Sequence, residues 1–265
     1  MQLGSYTLLE ELGSGAMGKV YRARVDGGLG AAGGDVAVKV VHPHLLTQPD
    51  VLSRFEREAR VGQALNHENV VRTIDVSSCD QEGDCQHFLV MEYVEGQTLR
   101  ELLNEMGTVP EHLVRHIGAE VAKALASIHA AGIIHRDLKP ENVLITENHV
   151  VKVMDLGLAR VQSEAAKLSR AGEFAGSILY ASPEQFTMNG EELDGRSDLY
   201  GLGMMLYELA TGRHPAPPDD LAAAMHFHLS ENPPPPSDVL PDLSPLLDAA
   251  VASLIEKERD CPLYP

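Results

Sequence analysis

Short runs with strand-like alternation fill the first third of the chain. YTLLEEL, KVYRARV, DVAVKVV, VVRTIDV and HFLVMEYV follow one another between residues 6 and 94, separated by glycine and acidic turns. One helical stretch interrupts them at about 49–65, where Val51, Phe55, Ala59 and Gly62 recur at helical spacing. The pattern predicts a five-stranded antiparallel sheet carrying one helix. After Glu95-Gly96 the period lengthens, and Val114, Ile117, Val121, Leu125 and Ile128 form one apolar helical face that Gly132 ends as a C-cap. Two short apolar runs, NVLIT and VVKVMDL, lie between that helix and a Gly/Ser-containing loop, and another helix is expected near 197–211. Prolines at 215, 217, 218 and 233–236 predict an extended connection before a last helix near 243–257. The run 233–236 is read as a stiff loop rather than a docking motif for a polyproline-binding partner.

Composition narrows the class. With 265 residues, 44% of them apolar, the chain can bury one large core or two lobes. Its 21 basic and 39 acidic residues leave a net charge of −18, which excludes nucleic acid as the main ligand because phosphate backbones need clustered Lys and Arg. Three cysteines, Cys79, Cys85 and Cys261, point to free thiols in a reducing, cytoplasmic compartment rather than to a disulfide framework or a zinc site. The twelve histidines, His42, His44, His226 and His228 among them, show no metal spacing and are expected on surfaces or loops. MQLGSYTLLEEL has no basic n-region or apolar h-region, and no window approaches the roughly 18 apolar residues of a membrane span. Neither secretion nor membrane insertion is expected.

Two G-x-G-x-x-G signatures compete for a phosphate. Gly13-Ser14-Gly15-Ala16-Met17-Gly18 lies between two strand-like runs, so it reads as a hairpin tip whose backbone N–H groups can fold over phosphates. Gly28-Leu29-Gly30-Ala31-Ala32-Gly33 has no such frame and reads as a flexible connection. Neither is followed by the helix that a dinucleotide site requires. Farther along, Lys39 sits inside the apolar strand VAVKV, where a charge must meet an anion. Glu58 of FEREA is the candidate partner, and the pair would hold Lys39 toward α- and β-phosphates; a snorkelling lysine and a solvated glutamate are the alternative.

The most specific stretch is 135–157, with His135-Arg136-Asp137-Leu138-Lys139-Pro140-Glu141-Asn142 and then Asp155-Leu156-Gly157. Its two acids, one amide and one lysine stand at spacings suited to a nucleoside triphosphate, its metal ions and an acceptor hydroxyl. Joined to the glycine loop, Lys39 and Glu58, these motifs resemble the protein kinase family over residues 6–257, in the family's order. Met17 in GSGAMGKVY, and SPEQ at 182–185, are similar to the eukaryotic-like (Hanks-type) Ser/Thr kinases of bacteria.

That resemblance implies an α+β bilobal kinase fold spanning 1–265, with a small sheet lobe over 1–94, a larger mainly helical lobe over 95–265 and the final helix missing. It implies ATP, with Mg²⁺ or Mn²⁺, and protein substrates carrying Ser/Thr acceptors. Asp155 and Asn142 would hold the metal, Asp137 would take or orient the acceptor proton, and Lys139 would set a positive charge beside the transferred phosphoryl group. Val20 and Ala37 above and Leu144 below would enclose adenine, Met91 would guard the back, and Glu92 and Val94 would meet the adenine edge through their backbone. By the same resemblance Asp198 would brace the catalytic loop and Ser177 would touch Asp137 and Lys139. Arg136 would accept a phosphate on Ser163 or Ser169 that orders the intervening loop. A homodimer through the small lobe is the expectation from similar bacterial kinases.

Some positions depart from the family pattern. Leu156 replaces a phenylalanine without touching Asp155, and Gly62 stands where a bulky apolar residue usually anchors the helix of Glu58. Near the end, Cys261 or Pro262 falls where an arginine usually pairs with the equivalent of Glu184, unless Arg259 substitutes by a shift. Gly62 and that loss support a second reading, a pseudokinase scaffold that binds nucleotide or partners. HRDLKPEN and the SPE segment disfavour a third, a small-molecule kinase.

Overall fold

The computed structural model describes residues 1–15, 18–26, 34–43, 55, 59–81, 84–156, 175–187, 193–218 and 220–257. Packing divides the chain into two compact units, Met1–Glu95 and Gly96–Pro265.

In the first unit, β1 (Gln2–Leu3), β2 (Tyr6–Gly15), β3 (Gly18–Val25), β4 (Asp35–Val41), β5 (Thr73–Gln81) and β6 (Asp84–Glu92) form one antiparallel sheet in the order β1-β2-β3-β4-β6-β5. The sheet has six strands rather than the expected five, because Gly4, at φ 55°, turns the chain and lets Gln2 and Leu3 pair back on Thr7 and Tyr6. Two residues are too few to display an alternation. Strand parity sorts the side chains. Leu3, Leu8, Ala23, Val36, Val38, Phe88 and Val90 close into a core on one face, with Tyr6 set edge-on to Phe88 at 5.9 Å. The registers Val20↔Lys39↔Leu89 and Arg22↔Ala37↔Met91 put Val20, Ala37, Lys39 and Met91 together on the opposite face.

Only glycine fits at position 18. A Cβ there would stand 1.9 Å from the Val40 carbonyl oxygen, so β3 and β4 approach more closely than any side chain permits. Phe55 and residues 59–64 are helical, with Phe55, Ala59, Gly62 and Leu65 buried. Cys79 pairs with Gln86 and Asp80 with Cys85, so the two cysteines occupy offset positions in the β5–β6 ladder.

The second unit is mainly helical. β7 (Gln97–Thr98) leads into α1 (Leu99–Met106), where the Thr98 hydroxyl accepts the Glu101 N–H at 3.1 Å and the Glu101 carboxylate accepts the Thr98 N–H at 2.8 Å, a complete capping box. α2 (Glu111–Ala130) buries the face predicted from its period, Val114, Ile117, Val121, Leu125 and Ile128. Gly132, at φ 73°, reverses the chain so that the Ile133 N–H returns to the Ile128 carbonyl at 3.2 Å. β8 (Val143–Ile145) and β9 (Val151–Val153) complete a small sheet in the order β7-β8-β9. Then come α3 (Ala175–Ile178), α4 (Glu184–Thr187) and α5 (Arg196–Thr211), the last buried at every position except Arg196 and Leu199 and packed against α2.

The expected extended connection across 215–236 is a correction. It contains α6 (Leu221–Ser230), begun by the Asp220 carboxylate accepting the Ala223 N–H at 3.0 Å, and leads into the short α7 (Pro236–Val239). LAAAMHFHL is apolar on every side and shows no period, while the flanking prolines suggested a loop. The last helix, α8 (Pro245–Leu254), is shorter than the predicted 243–257, because Ser244 caps its start by accepting the Leu247 N–H at 3.3 Å. Among the described residues no helix is long and apolar enough to cross a membrane.

The buried α2 stripe supplies a test. Ile117→Ala removes a side chain with no exposure and is expected to destabilise the fold by roughly 2–5 kcal/mol, read as a lower urea midpoint at unchanged slope. Exposed Glu105→Ala should stay within about 0.5 kcal/mol of wild type.

Candidate active site

The loop between α2 and β8 is held from below by one side chain. Asp198, 1% exposed in the first turn of α5, accepts the His135 N–H at 2.8 Å, the Arg136 N–H at 2.7 Å and His129 Nε2–H at 2.7 Å. His135 is buried: its Nδ1 accepts the Asp137 N–H at 3.3 Å and its Nε2–H donates to the Met154 carbonyl at 2.9 Å. Arg136 has φ 64° and Asp155 φ 60°, the left-handed region that non-glycine residues seldom occupy.

On this frame the sequence-predicted residues of the second unit converge. Asn142 Nδ2 donates to the Asp137 carbonyl at 2.7 Å and to Asp137 Oδ2 at 3.1 Å. Lys139 Nζ stands 3.2 Å from the same Oδ2 and donates to Ser177 Oγ at 2.7 Å. The Met154 N–H donates to the Asn142 carbonyl at 2.9 Å, which brings Asp155, one residue on, beside Asn142. With Nδ2 committed to Asp137, Asn142 keeps its amide oxygen as an acceptor, and Asp155 adds a carboxylate. Two hard oxygen donors suit a divalent cation that draws the rest of its shell from phosphate and water. Among the described residues no trio of His, Cys, Asp or Glu forms a metal cage of its own. Leu144 lies in β8 opposite Lys152 and Thr98, and Leu156 is buried at 7% exposure in the place of a phenylalanine.

In the first unit the β2–β3 hairpin pairs Gly13 with Val20, Ser14 with Lys19 and Gly15 with Gly18. Val20, Ala37, Lys39 and Met91 share one sheet face, and Lys39 is buried at 8% exposure. At the end of β6, the Glu92 N–H donates to the Arg72 carbonyl at 3.0 Å and the Glu92 carboxylate accepts the Arg72 N–H at 2.9 Å, and Val94 follows at intermediate exposure. Ala16, Met17, Glu58, Gly157, Ser163, Ser169, Arg259, Cys261 and Pro262 lie outside the described residues, as does the second glycine signature, 28–33.

Sequence reasoning missed a charged knot beside the loop. Arg100 of α1 donates to Glu141 at 2.8 Å, to Glu208 of α5 at 2.9 Å and to the Tyr180 hydroxyl at 2.5 Å, while that hydroxyl donates to Glu208. Burial opposes the charge on Arg100, but the Glu208 and Glu141 carboxylates outweigh it and hold the guanidinium protonated beyond its usual range. Burial, reinforced by Glu208, likewise keeps the Tyr180 phenol neutral well above its ordinary value. These partners are 41, 80 and 108 residues apart, so no local spacing signals them. Glu184, which follows Ser182-Pro183, accepts the Ser197 hydroxyl at 2.6 Å.

The second unit thus gathers Asp137, Lys139 and Asn142 on a loop braced by a buried aspartate, and the first unit carries a buried lysine on its sheet, the residue types of a phosphotransfer protein. The chain belongs to the protein kinase domain family, whose model matches residues 6–257. It is similar to serine/threonine-protein kinase PknB of Mycolicibacterium smegmatis, at 40% identity over 96% of this chain and 40% of that protein. PknB of Mycobacterium leprae is 38% identical over the same shares, and serine/threonine-protein kinase pkn3 of Myxococcus xanthus is 38% identical over 93% of this chain and 45% of its own. The chain thus spans about two fifths of the length of the curated relatives it matches.

The charged knot predicts a double-mutant result. Arg100→Met strands Glu208 and is expected to cost about 3 kcal/mol of stability in denaturant titration, while Arg100→Met with Glu208→Leu should recover at least half of that loss.

Proposed function

We propose that the chain is an ATP-dependent serine/threonine protein kinase domain acting on protein substrates in a reducing, cytoplasmic compartment. The observation that best supports this is the Asp137 carboxylate, met at one oxygen by both Asn142 Nδ2 and Lys139 Nζ, with Lys139 reaching on to Ser177. ATP with Mg²⁺, or Mn²⁺ in its place, supplies the transferable phosphoryl group and the counter-charge that its oxygens require.

The chain's own residues then divide the work. Asp137 accepts or orients the proton of the acceptor hydroxyl. Lys139 places its ammonium beside the phosphoryl group in transit, and its bond to Ser177 fixes that placement. Asn142 and Asp155 would present oxygens to a divalent cation. In the first unit, Lys39 would offer its ammonium to the phosphates, with Glu58 as the partner the sequence offers, and backbone N–H groups of the 13–18 glycine motif would meet them. Val20, Ala37 and Met91 of the first unit and Leu144 of the second are the candidates for apolar contact with adenine, and the backbones of Glu92 and Val94 would meet its polar edge. All the charged residues this reaction needs stand in the sequence, which favours turnover over a scaffold that only binds nucleotide.

The test is transfer of labelled γ-phosphate from ATP with Mg²⁺ to the chain itself and to a generic protein. Wild type should label both, and Asp137→Asn should lower the rate at least about 100-fold, with Lys39→Met lower still in nucleotide affinity. Labelling by the two variants at the wild-type rate overturns the proposal.

A further inference from the structure

His228 was expected on a surface or in a loop, and the structure corrects this. It lies in α6 with no exposed area, because the apolar faces of α4, α5 and α6 close around it. Its ring stacks on Phe186 of α4 at 6.0 Å and 24°, and stands edge-on to Tyr200 at 5.7 Å and Phe227 at 5.5 Å. Its Nδ1 meets the Tyr200 hydroxyl at 2.9 Å. A second imidazole, His214, lies 6.4 Å away and packs edge-on against Tyr180 at 5.0 Å. In both rings Nε2 is sealed from solvent with no hydrogen-bond partner among the described residues, although the Leu179 carbonyl is close enough to act on each. Two imidazoles therefore brace one short segment, at Leu179, Tyr180 and Phe186.

That segment touches the catalytic loop. Gln185 Nε2 donates to the Arg136 carbonyl at 2.9 Å, Tyr180 joins the Arg100 knot, and Ser177, just before it, receives Lys139.

Enclosure favours neutral rings. His214 Nδ1 accepts the Ala216 N–H at 3.1 Å, closer than the Ala216 carbonyl at 3.4 Å, so a proton on Nδ1 would exchange the shorter contact for the longer one. Around His228, burial, His214 and the Lys257 ammonium, which is bonded to the Phe227 and Glu231 carbonyls, all oppose a positive charge and push its pKa down to about 3. Around His214, burial opposes the charge most and Arg100 adds to it, Glu208 and the Ala216 and Leu179 carbonyls favour it, and the balance is a lowered pKa. Glu184, acting on Tyr200, is the remaining acid in this cluster, and Glu231 lies against Lys257.

We propose that His214 and His228 are positioning residues: they hold segment 178–187 against the catalytic loop only while both imidazoles are neutral, and the segment is released when they take up protons. The closed state excludes protons that the open state binds at the ordinary imidazole value of about 6.5. Closure is therefore fully favoured above that pH and lost as pH falls below it, by up to about tenfold per histidine per pH unit, or about 100-fold per unit for the pair.

Hydrogen exchange read residue by residue between about pH 7.5 and 5.5, corrected for intrinsic rates, tests this. Exchange of residues 179–187 should accelerate by about 10- to 100-fold relative to α2, and the acceleration should be roughly tenfold smaller in His228→Gln, which cannot protonate. Unchanged protection of 179–187 relative to α2 in wild type overturns the proposal, and so does an identical acceleration in a folded His228→Gln. Should that variant fail to fold, imidazole titration by NMR in wild type decides: both rings must titrate below about 6, and titration of either at 6.5 or above overturns it. The consequence for phosphoryl transfer rests on the function proposed above. Exchange is read without ATP, so failure here and failure there are distinguishable.

Discussion

One buried carboxylate carries the geometry of the second unit. Asp198 gathers two consecutive backbone N–H groups, of His135 and Arg136, and the imidazole of His129. A carboxylate this enclosed is tolerable only if its oxygens are filled by donors, and the loop is what fills them. The same bonds hold Arg136 in its left-handed conformation, a strain that would otherwise relax and swing Asp137 away from Asn142 and Lys139. Asp137, Lys139 and Asn142 are thus placed by a residue that touches none of them.

A second layer of constraint comes from Arg100, which ties α1, the catalytic loop at Glu141, the segment at Tyr180 and α5 at Glu208. Breaking such a knot at one member is costlier than removing it, because the stranded charge stays buried. The two imidazoles pack against the same segment, and Tyr180 meets both the charged knot and the ring of His214.

What the sequence disclosed was chiefly what is local. Asp137, Lys139 and Asn142 lie within one short loop, and their meeting follows from contiguity. Lys39, Ala37, Val20 and Met91 share a face because strands alternate and the antiparallel registers carry parity across the sheet. The stripe of α2 follows from its period, as does its glycine stop. The strand at Gln2–Leu3 was too short to read, and α6 hid between prolines with apolar residues all round. The burial of His228 depends on Phe186 and Tyr200 arriving from other elements, and Arg100 depends on partners up to 108 residues away. Such pairings leave no trace in a local window.

α5 has a consequence for how this unit comes apart. A helix buried at nearly every position from Ser197 to Thr211 has no stable existence as a solvated rod, since its apolar surface would face water on all sides. It cannot form ahead of α2, or detach while the others persist. The brace that Asp198 provides is therefore lost only in global unfolding, whatever segment 178–187 does, and the loop at 135–142 inherits the cooperativity of the whole unit rather than the fraying habit of a surface loop.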